Sequence, residues 1–252
     1  MSRATSVQAD LAVVEQGDGE PLVVFVHGVL DRGRSFRRFG RSLEGECRTI
    51  WYDRRGYGAA VDAPGTPAGV AEHADDLLAV LDGRRAVVVG HSFGGVTVLG
   101  AAIRAPDLID AVVLYETGMA WLPAWDDRFL RDLLWGEDPA REGARLMYGE
   151  RYETMSDDER GTLERQARAF VAEERSVRRG PPPFDVADLR VPLVYGLGDQ
   201  YHFPAVPDHL RSVLPDAEIV VVPGADHNAH RNHPDAFAGL VRRGIELGAQ
   251  RQ

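Results

Sequence analysis

The sequence of 252 residues has no lysine, so that all 29 of its basic residues are arginine, a uniformity that we interpret as mutational bias. It has one cysteine, Cys47, which excludes a disulfide bond within the chain. The net charge of −10 disfavours binding to nucleic acid, because phosphate backbones repel an acidic chain that lacks a local basic patch. No apolar run approaches the roughly 18 residues that a membrane-spanning helix needs, and the N-terminal stretch lacks the apolar core of a signal peptide. We therefore expect a cytoplasmic protein without nucleic-acid or membrane partners.

Short runs of valine, leucine and isoleucine, each ended by glycine or a polar turn, predict parallel strands that are buried on both faces. They lie at 22–28, 48–53, 86–90, 111–116, 192–196 and 218–222, with a weaker one at 11–17. Helical patterns lie between them at 68–83, 92–106 and 233–250. This alternation predicts an α/β fold with a doubly wound, mostly parallel sheet.

The alternation breaks between residues 117 and 183, where helical segments occur without a convincing strand. Capping residues mark two helix starts, namely Asp138 before Pro139 and Ser156 three residues before Glu159. We interpret 117–183 as a helical lid inserted after the strand at 111–116, which we number as the sixth strand. The core of the fold then comprises 1–116 and 184–252.

One predicted strand runs into "VVVGHSFGG", residues 87–95, where Gly90 and Gly94 stand two positions on either side of Ser92. A G-x-S-x-G turn between a strand and a helix can hold a nucleophilic serine in a strained conformation, while the small residues let strand and helix approach closely. The alternative is a glycine-rich turn in which Ser92 caps the helix. Short motifs recur by chance, so other parts of the chain must decide between the two.

A second strand also runs into glycine, in "FVHGVLDRGRSF" at 25–36. Acyl transfer needs two donors aimed at the oxyanion that develops on the reacting carbonyl. We expect these donors to be the backbone amide of Phe93, directly after the serine, and that of Val29 in the loop after this strand. His27 stands just before Gly28, so we expect it to organise this loop and keep it as a candidate for the substrate pocket.

The stretch "VPGADHNAH" at 222–230 places His227 late in the chain, in a short loop after a strand. A serine hydroxyl is a poor nucleophile unless such a base lies within hydrogen-bond reach. His227, His230 and His233 have a spacing that allows a metal site, but no carboxylate cluster accompanies them and Pro234 favours a helix start at His233. We therefore predict His227 as the base, the other two as loop and capping residues, and neither a metal nor another cofactor.

The stretch "VPLVYGLGDQYHFP" at 191–204 places Asp199 just beyond a strand, where a carboxylate could orient the imidazole of His227. We favour Asp199 as this acid. Asp226 is disfavoured because it is adjacent to His227, and neighbouring side chains on an extended loop point apart. Glu116, directly after the strand at 111–116, stays open as an alternative. His202 lies close enough to the predicted site to be assigned to the substrate pocket.

Five pieces of the sequence, "FVHG", "YDRRGYG", "VVVGHSFGG", "GLGDQYHFP" and "GADHNAHRNHPDAF", occur in one order across residues 10 to 245. With them the chain resembles the α/β-hydrolase superfamily, in its branch of lid-containing esterases and lactonases with a serine nucleophile. The resemblance implies a nucleophile, a base, an acid and two oxyanion-hole amides, at Ser92, His227, Asp199, Val29 and Phe93. It also implies that Asp53 braces the loops around the site. Serine at position 92 argues against the dehalogenases and epoxide hydrolases of this superfamily, which use an aspartate nucleophile.

These features predict a serine hydrolase that cleaves an ester, thioester or lactone of a small apolar substrate through an acyl-enzyme. One alternative is a non-hydrolytic enzyme that uses the same site, such as a lyase, an acyltransferase or a cyclase of specialised metabolism. Another is a ligand-binding protein on this scaffold, which an intact triad disfavours. Lid side chains that could line the pocket, or else pack the lid on the sheet, are Met119, Trp121, Leu122, Trp125, Phe129, Met147 and Tyr148.

Overall fold

The computed structural model of the chain describes residues 10–122, 128–199 and 201–251. Its strands coincide closely with the predicted runs, because each run holds enough β-branched and leucine residues to fill both faces of a sheet. They are β1 (Val14–Gln16), β2 (Leu22–Val26), β3 (Arg48–Trp51), β4 (Ala86–His91), β5 (Ile109–Tyr115), β6 (Leu193–Gly198) and β7 (Glu218–Val222).

The sheet has the strand order β1-β3-β2-β4-β5-β6-β7. β1 pairs with β3 in antiparallel fashion, whereas every other neighbouring pair is parallel. The prediction of a doubly wound, mostly parallel sheet is therefore confirmed. The order reverses between β2 and β4, and the carboxyl ends of the central strands meet at one edge, where ligand sites of open α/β sheets lie.

The α-helices of the described chain are α1 (Arg37–Gly40), α2 (Val70–Leu81), α3 (Phe93–Arg104), α4 (Arg128–Leu134), α5 (Pro139–Tyr148), α6 (Glu150–Glu153), α7 (Asp157–Arg178), α8 (Ala205–Val213), α9 (Ala229–Asn232) and α10 (Pro234–Ala249). Alternate strand residues divide between two apolar clusters. Val24 and Val88 belong to the cluster that includes α2 and α3, whereas Val23 and Val87 belong to the cluster that includes α10. This division follows from the period of two along a strand.

Between β5 and β6 the described residues form α4 to α7 and no long strand. We call residues 117–183 the insertion. Both predicted helix starts are confirmed, since Asp138 accepts a hydrogen bond from the Arg141 amide and Ser156 forms a capping box with Glu159. The strand before the insertion is the fifth in chain order among the described residues, not the sixth, because only β1 precedes β2 there.

None of the helices in the described ranges is both long enough and apolar enough to cross a lipid bilayer.

Candidate active site

Ser92 occupies a sharp turn between β4 and α3, with φ of 52° and ψ of −127°. A residue with a side chain pays a steric penalty in such a conformation, which persists only where the surroundings enforce it. Here the Ser92 amide donates to the Tyr115 carbonyl at 2.9 Å and its carbonyl accepts from the Gly95 amide at 2.9 Å. The turn is therefore fixed from both sides, and Ser92 stands at the carboxyl end of the central strand.

The glycines around Ser92 are required by close packing. A Cβ atom on Gly90 would lie 2.4 Å from the Cα of Gly95, and one on Gly94 would lie 2.2 Å from the carbonyl oxygen of Val26. Both distances are shorter than any real contact between such atoms, so only glycine lets α3 start this close to β2 and β4.

The helix-cap interpretation of Ser92 does not hold. Ser92 is at the N-cap position of α3, yet its side chain makes no capping hydrogen bond. An N-cap serine stabilises a helix by accepting from one of its first free amides. The strained backbone without such a bond, and a side chain that is 9% exposed, are what a serine held for reaction requires.

The loop after β2 passes directly beside Ser92. A Cβ atom on Gly28 would lie 2.9 Å from the Cβ of Ser92 and 3.1 Å from Nδ1 of His91. Val29 follows Gly28, and its side chain packs against the cluster that contains Phe93. Val29 and Phe93 therefore lie in one apolar cluster, and the residue before Val29 contacts Ser92.

His27 was predicted as an organiser of this loop and as a candidate for the substrate pocket; the structure places it fully buried, bonded to the loop. Its Nε2 accepts from the Arg54 amide at 2.9 Å, which places the ring proton on Nδ1, and Nδ1 donates to the Gly28 carbonyl at 2.7 Å. Burial, and next the Arg54 charge, lower the pKa of His27 to about 3. His27 is therefore neutral, and its ring links the backbone of this loop to that of Arg54.

A buried cluster of charges joins this loop to the insertion. The guanidinium of Arg54 donates to the carbonyls of His27 and Gly28, at 2.8 and 3.0 Å, and pairs with Glu173 on α7. Tyr57 Oη and His73 Nε2 each lie 2.7 Å from the same carboxylate. Burial opposes ionisation of Glu173, yet the Arg54 charge outweighs it and holds the pKa at about 2.

Asp53, the first residue of the "DRRG" stretch, bridges two loops as expected. Its carboxylate accepts from the amides of Gly33 and Ala59, each at 2.7 Å. Arg55 points away from this cluster and forms an ion pair with Asp76.

His227 lies in the loop after β7 and pairs with Glu116, which directly follows β5. Its Nδ1 is 3.2 Å from Oε2 of Glu116. With the Nδ1 proton directed at the carboxylate, Nε2 is the free nitrogen and can accept a proton. Glu116 is fully buried, which is unusual for a carboxylate without a specific task.

Asp199 does not take the position predicted for it. Its exposed carboxylate accepts from the Gly224 amide, and so braces the loop after β6 against the loop after β7. Asp226 caps the next turn by accepting from the amide of Asn228 at 2.8 Å. The structure thus pairs His227 with Glu116, the alternative left open by the sequence. β6 extends to Gly198, so the short loop that follows holds Asp199 at Gly224.

Several donors keep Glu116 ionised. Burial opposes ionisation, but hydrogen bonds from His227, from the Gly198 amide at 3.0 Å and from the His202 amide at 3.3 Å hold its pKa below the ordinary value. Nδ1 of His202 also lies 3.3 Å from Oε2 of Glu116. His202 was predicted in the substrate pocket; the structure places its exposed imidazole against the carboxylate that faces His227.

Two side chains donate hydrogen bonds to backbone carbonyls of the loop that contains His227. His91 Nε2 donates to the His227 carbonyl at 2.7 Å, and the Tyr115 hydroxyl donates to the Asp226 carbonyl at 2.7 Å. Burial lowers the pKa of His91 well below its ordinary value, so this imidazole is neutral and its one N–H is used here. Both donors come from the ends of β4 and β5, so the loop that contains His227 is fixed relative to Ser92 and Glu116.

Comparison with known proteins agrees with this arrangement. A model of the alpha/beta hydrolase family matches residues 23–240. The chain belongs to the α/β-hydrolase family. The predicted family and fold are therefore confirmed.

Relatives and solved structures span nearly the whole α/β-hydrolase chain. A 2-(acetamidomethylene)succinate hydrolase of Mesorhizobium japonicum is 28% identical over 258 residues, with 94% of this chain and 91% of that protein covered. A hydrolase from Oleispira antarctica has a TM-score of 0.78 at 16% identity, with 97% and 98% covered. A thermophilic esterase from Thermogutta terrifontis has a TM-score of 0.72 at 21% identity, with 94% and 93% covered. At these identities the two structures show a shared fold.

Among the described residues of this α/β-hydrolase, two groups of side chains could each offer three ligand atoms to a metal ion. They are Glu116 with His202 and His227, and Asp31 with His91 and His230, the atoms in each group lying within 4.8 Å of one another. In the first group the carboxylate already bonds to both imidazoles. In the second, Asp31 accepts from Ser35 at 2.9 Å and pairs with Arg231. The absence of a metal stays a prediction.

The predicted pocket residues of the insertion have different surroundings. Trp121 and Leu122 line a cavity beside α4 and α7. Met119 is fully buried in the core, so core packing is the correct interpretation there, and Met147 is 50% exposed on α5. Tyr148 lines a separate cavity. Trp125 lies outside the described residues, as does the side chain of Phe129.

No sequence pattern indicated the pairing of Arg54 with Glu173 or the burial of His91 and His230. "RR" in "YDRRGYG" gave no sign that one arginine is fully buried and the other only partly buried. His230 was predicted as a loop residue, but it lies fully buried in α9 against Phe36, with a ring-centroid distance of 5.1 Å. His233 takes the N-cap position of α10 as predicted, without a side-chain capping bond.

Proposed function

We propose that the protein is a serine hydrolase that cleaves a carboxylic ester, thioester or lactone through an acyl-enzyme on Ser92. The single observation that carries the proposal is the strained Ser92, free of any capping bond, at the same sheet edge as the His227–Glu116 pair. A serine acts as a nucleophile when a base activates it and a third group orients that base. Hydrolases and esterases among the similar proteins support the same class.

In the acylation step, Nε2 of His227 takes the proton of the Ser92 hydroxyl while Oγ attacks the substrate carbonyl carbon. The carbonyl oxygen becomes an oxyanion, which accepts hydrogen bonds from the amides of Val29 and Phe93. Each such donor lowers the barrier by about 3 kcal/mol in related chemistry. The bond to the leaving oxygen or sulfur then breaks as His227 returns the proton to it.

In the deacylation step, water gives a proton to His227 and attacks the acyl carbon. The second oxyanion collapses, the acid product leaves and Ser92 regains its proton. Glu116 stays ionised throughout and stabilises the imidazolium of His227. We assign the acid to Glu116 because its carboxylate, unlike that of Asp199, lies at Nδ1 of His227.

The proposal is tested with a fluorophosphonate probe and with 4-nitrophenyl acetate. The wild-type chain should be labelled at Ser92 and should release 4-nitrophenol with turnover. Ser92→Ala should abolish both, whereas Ser212→Ala, which removes an exposed hydroxyl on α8, should change neither. Absence of labelling in the wild type, or labelling that survives Ser92→Ala, would contradict the proposal. A stable acyl-enzyme that water never releases would favour a transferase.

A further inference from the structure

A cavity of about 850 Å³ lies between α4, the end of α7 and the first residues of the insertion. Its size is within the range of sites for small molecules. Its apolar wall consists of Ala120, Trp121, Leu122 and Val177. Such a wall would hold an alkyl or acyl chain.

The apolar wall of the cavity packs together with Phe93, which directly follows Ser92, and with Val29 in the loop after β2. Ala120, Trp121 and Val177 belong to the same apolar cluster as Phe93 and Val29. Those are the two residues whose amides form the oxyanion hole in the proposed function. The apolar wall of the cavity is therefore adjacent to the residues whose amides would bind the substrate carbonyl.

The polar lining of the cavity is strongly basic. Arg131, Arg178 and Arg179 line it together with one acidic residue, Asp132. Arg178 is paired with Glu174, whereas Arg131 and Arg179 form no ion pair with any described carboxylate. The whole chain carries a net charge of −10, so this concentration of arginine stands against the general charge of the molecule. An anion would gain from that local charge.

The guanidinium of Arg179 has a defined orientation. Its Cζ lies 5.3 Å from the centre of the Trp135 ring, which also lines the cavity. A guanidinium that lies over an aromatic ring keeps its N–H groups free at the edge, and this planar fork matches the two oxygens of a carboxylate. Arg131, on α4, adds a second cation to the same lining.

We infer that this cavity binds the arm of a substrate that ends in a carboxylate, with Arg131 and Arg179 as the residues that select it. The inference rests on the proposed function for the bond that is cleaved, and it names the substrate class as esters or thioesters with a remote carboxylate. The apolar wall would hold the methylene groups between the scissile carbonyl and the anion.

The test compares two esters with six-carbon acyl groups, 4-nitrophenyl hexanoate and mono(4-nitrophenyl) adipate. A second pair, butyl acetate and 4-carboxybutyl acetate, places the anion on the alcohol side. We expect the anionic member of one pair to have the higher kcat/KM. The double variant Arg131→Gln/Arg179→Gln should lower kcat/KM for this anionic ester by about tenfold or more, because charge-assisted hydrogen bonds are lost. It should leave kcat/KM for the neutral ester unchanged. Arg104→Gln, an exposed arginine at the far end of α3, serves as the control.

Binding is measured separately from turnover. Adipate should raise the midpoint of thermal unfolding of the wild type and of Arg104→Gln but not of the double variant.

Equal kcat/KM within both pairs, with neutral esters still cleaved and no effect of adipate on the unfolding midpoint, would overturn the inference and leave the proposed function standing. Arg179 is also the C-cap residue of α7, where a cation complements the helix dipole. Loss of stability in the double variant with unchanged selectivity would assign the arginines to that structural role and overturn the inference. Binding of adipate without cleavage of any ester, and without fluorophosphonate labelling, would instead overturn the proposed function alone.

Discussion

Arg54 and Glu173 form an ion pair in which neither side chain is exposed to solvent. Arg54 follows β3 and Glu173 lies on α7, so the pair joins the core of the sheet to the insertion. Because Arg54 also donates to the carbonyls of His27 and Gly28, the same side chain holds the loop that carries Val29. One buried charge cluster thus links the insertion to the loop that carries Val29.

Glu173→Gln should destabilise the protein and slow the reaction together. It leaves the charge of Arg54 buried without a full counter-charge, for which a loss of about 3–5 kcal/mol in the free energy of unfolding is typical. Urea unfolding gives the stability, and kcat for 4-nitrophenyl acetate gives the effect on the loop. Glu164→Gln, on the same helix but in the partly exposed pair with Arg141, should cost at most about 1 kcal/mol. Similar stabilities of the two variants would refute the bracing role.

Gly28→Ala should lower kcat. The new methyl group would lie 2.9 Å from Cβ of Ser92, so either the loop or the serine must shift. Catalytic geometry is sensitive to displacements of this size, and a loss of about a hundredfold is expected. Gly161→Ala is the control, because a Cβ there meets no atom within 4 Å. Wild-type kcat in Gly28→Ala would show that this loop does not contribute to the transition state.

The sequence was sufficient for the sheet and for the turn at Ser92, because each depends on local features. Continuous valine runs specify buried strands, and the glycines of 87–95 are required by contacts that a close strand–helix turn always makes. The acid could not be chosen in this way. Asp199 and Glu116 both follow strands that end at the same edge, and only the three-dimensional path of the loop after β6 directs Asp199 to Gly224.

The free energy of unfolding should fall as the pH is lowered below about 6.5, the ordinary pKa of histidine. Burial lowers the pKa of His27, His73, His91 and His230 in the folded chain. The unfolded chain therefore binds more protons below this pH, and stability that is fully present above it is lost as the pH falls. Each such histidine contributes up to about 1.4 kcal/mol per pH unit.

Urea unfolding at pH 8, 7, 6 and 5 measures this dependence, and His230→Asn should make the fall in stability less steep, because one buried neutral histidine is removed. The carboxyl of Glu173, with a pKa of about 2, adds its own loss only at lower pH, below its ordinary value of 4.5. Equal stability at pH 8 and pH 5 would contradict the assignment of these histidines as buried and neutral.

Burial of ionisable groups was the feature that sequence patterns predicted least. Arg54 and Arg55 are adjacent and identical, yet Arg54 is fully buried beside Glu173 whereas Arg55 pairs with Asp76 near the surface. Partners more than 100 residues away decide which arginine is enclosed, and no local periodicity records them. The same holds for His91, whose neighbour His227 comes from the far end of the chain.

We propose that Glu116, rather than Asp199, orients His227 in a serine hydrolase. The most direct test is kcat for 4-nitrophenyl acetate in Glu116→Gln and Asp199→Asn, with folding of both checked by thermal unfolding. We predict that Glu116→Gln lowers kcat by about a thousandfold or more, as expected for loss of the triad acid. Asp199→Asn, which alters only a brace to the Gly224 amide, should keep kcat near the wild-type value. A large loss in Asp199→Asn together with near-normal activity in Glu116→Gln would contradict the account.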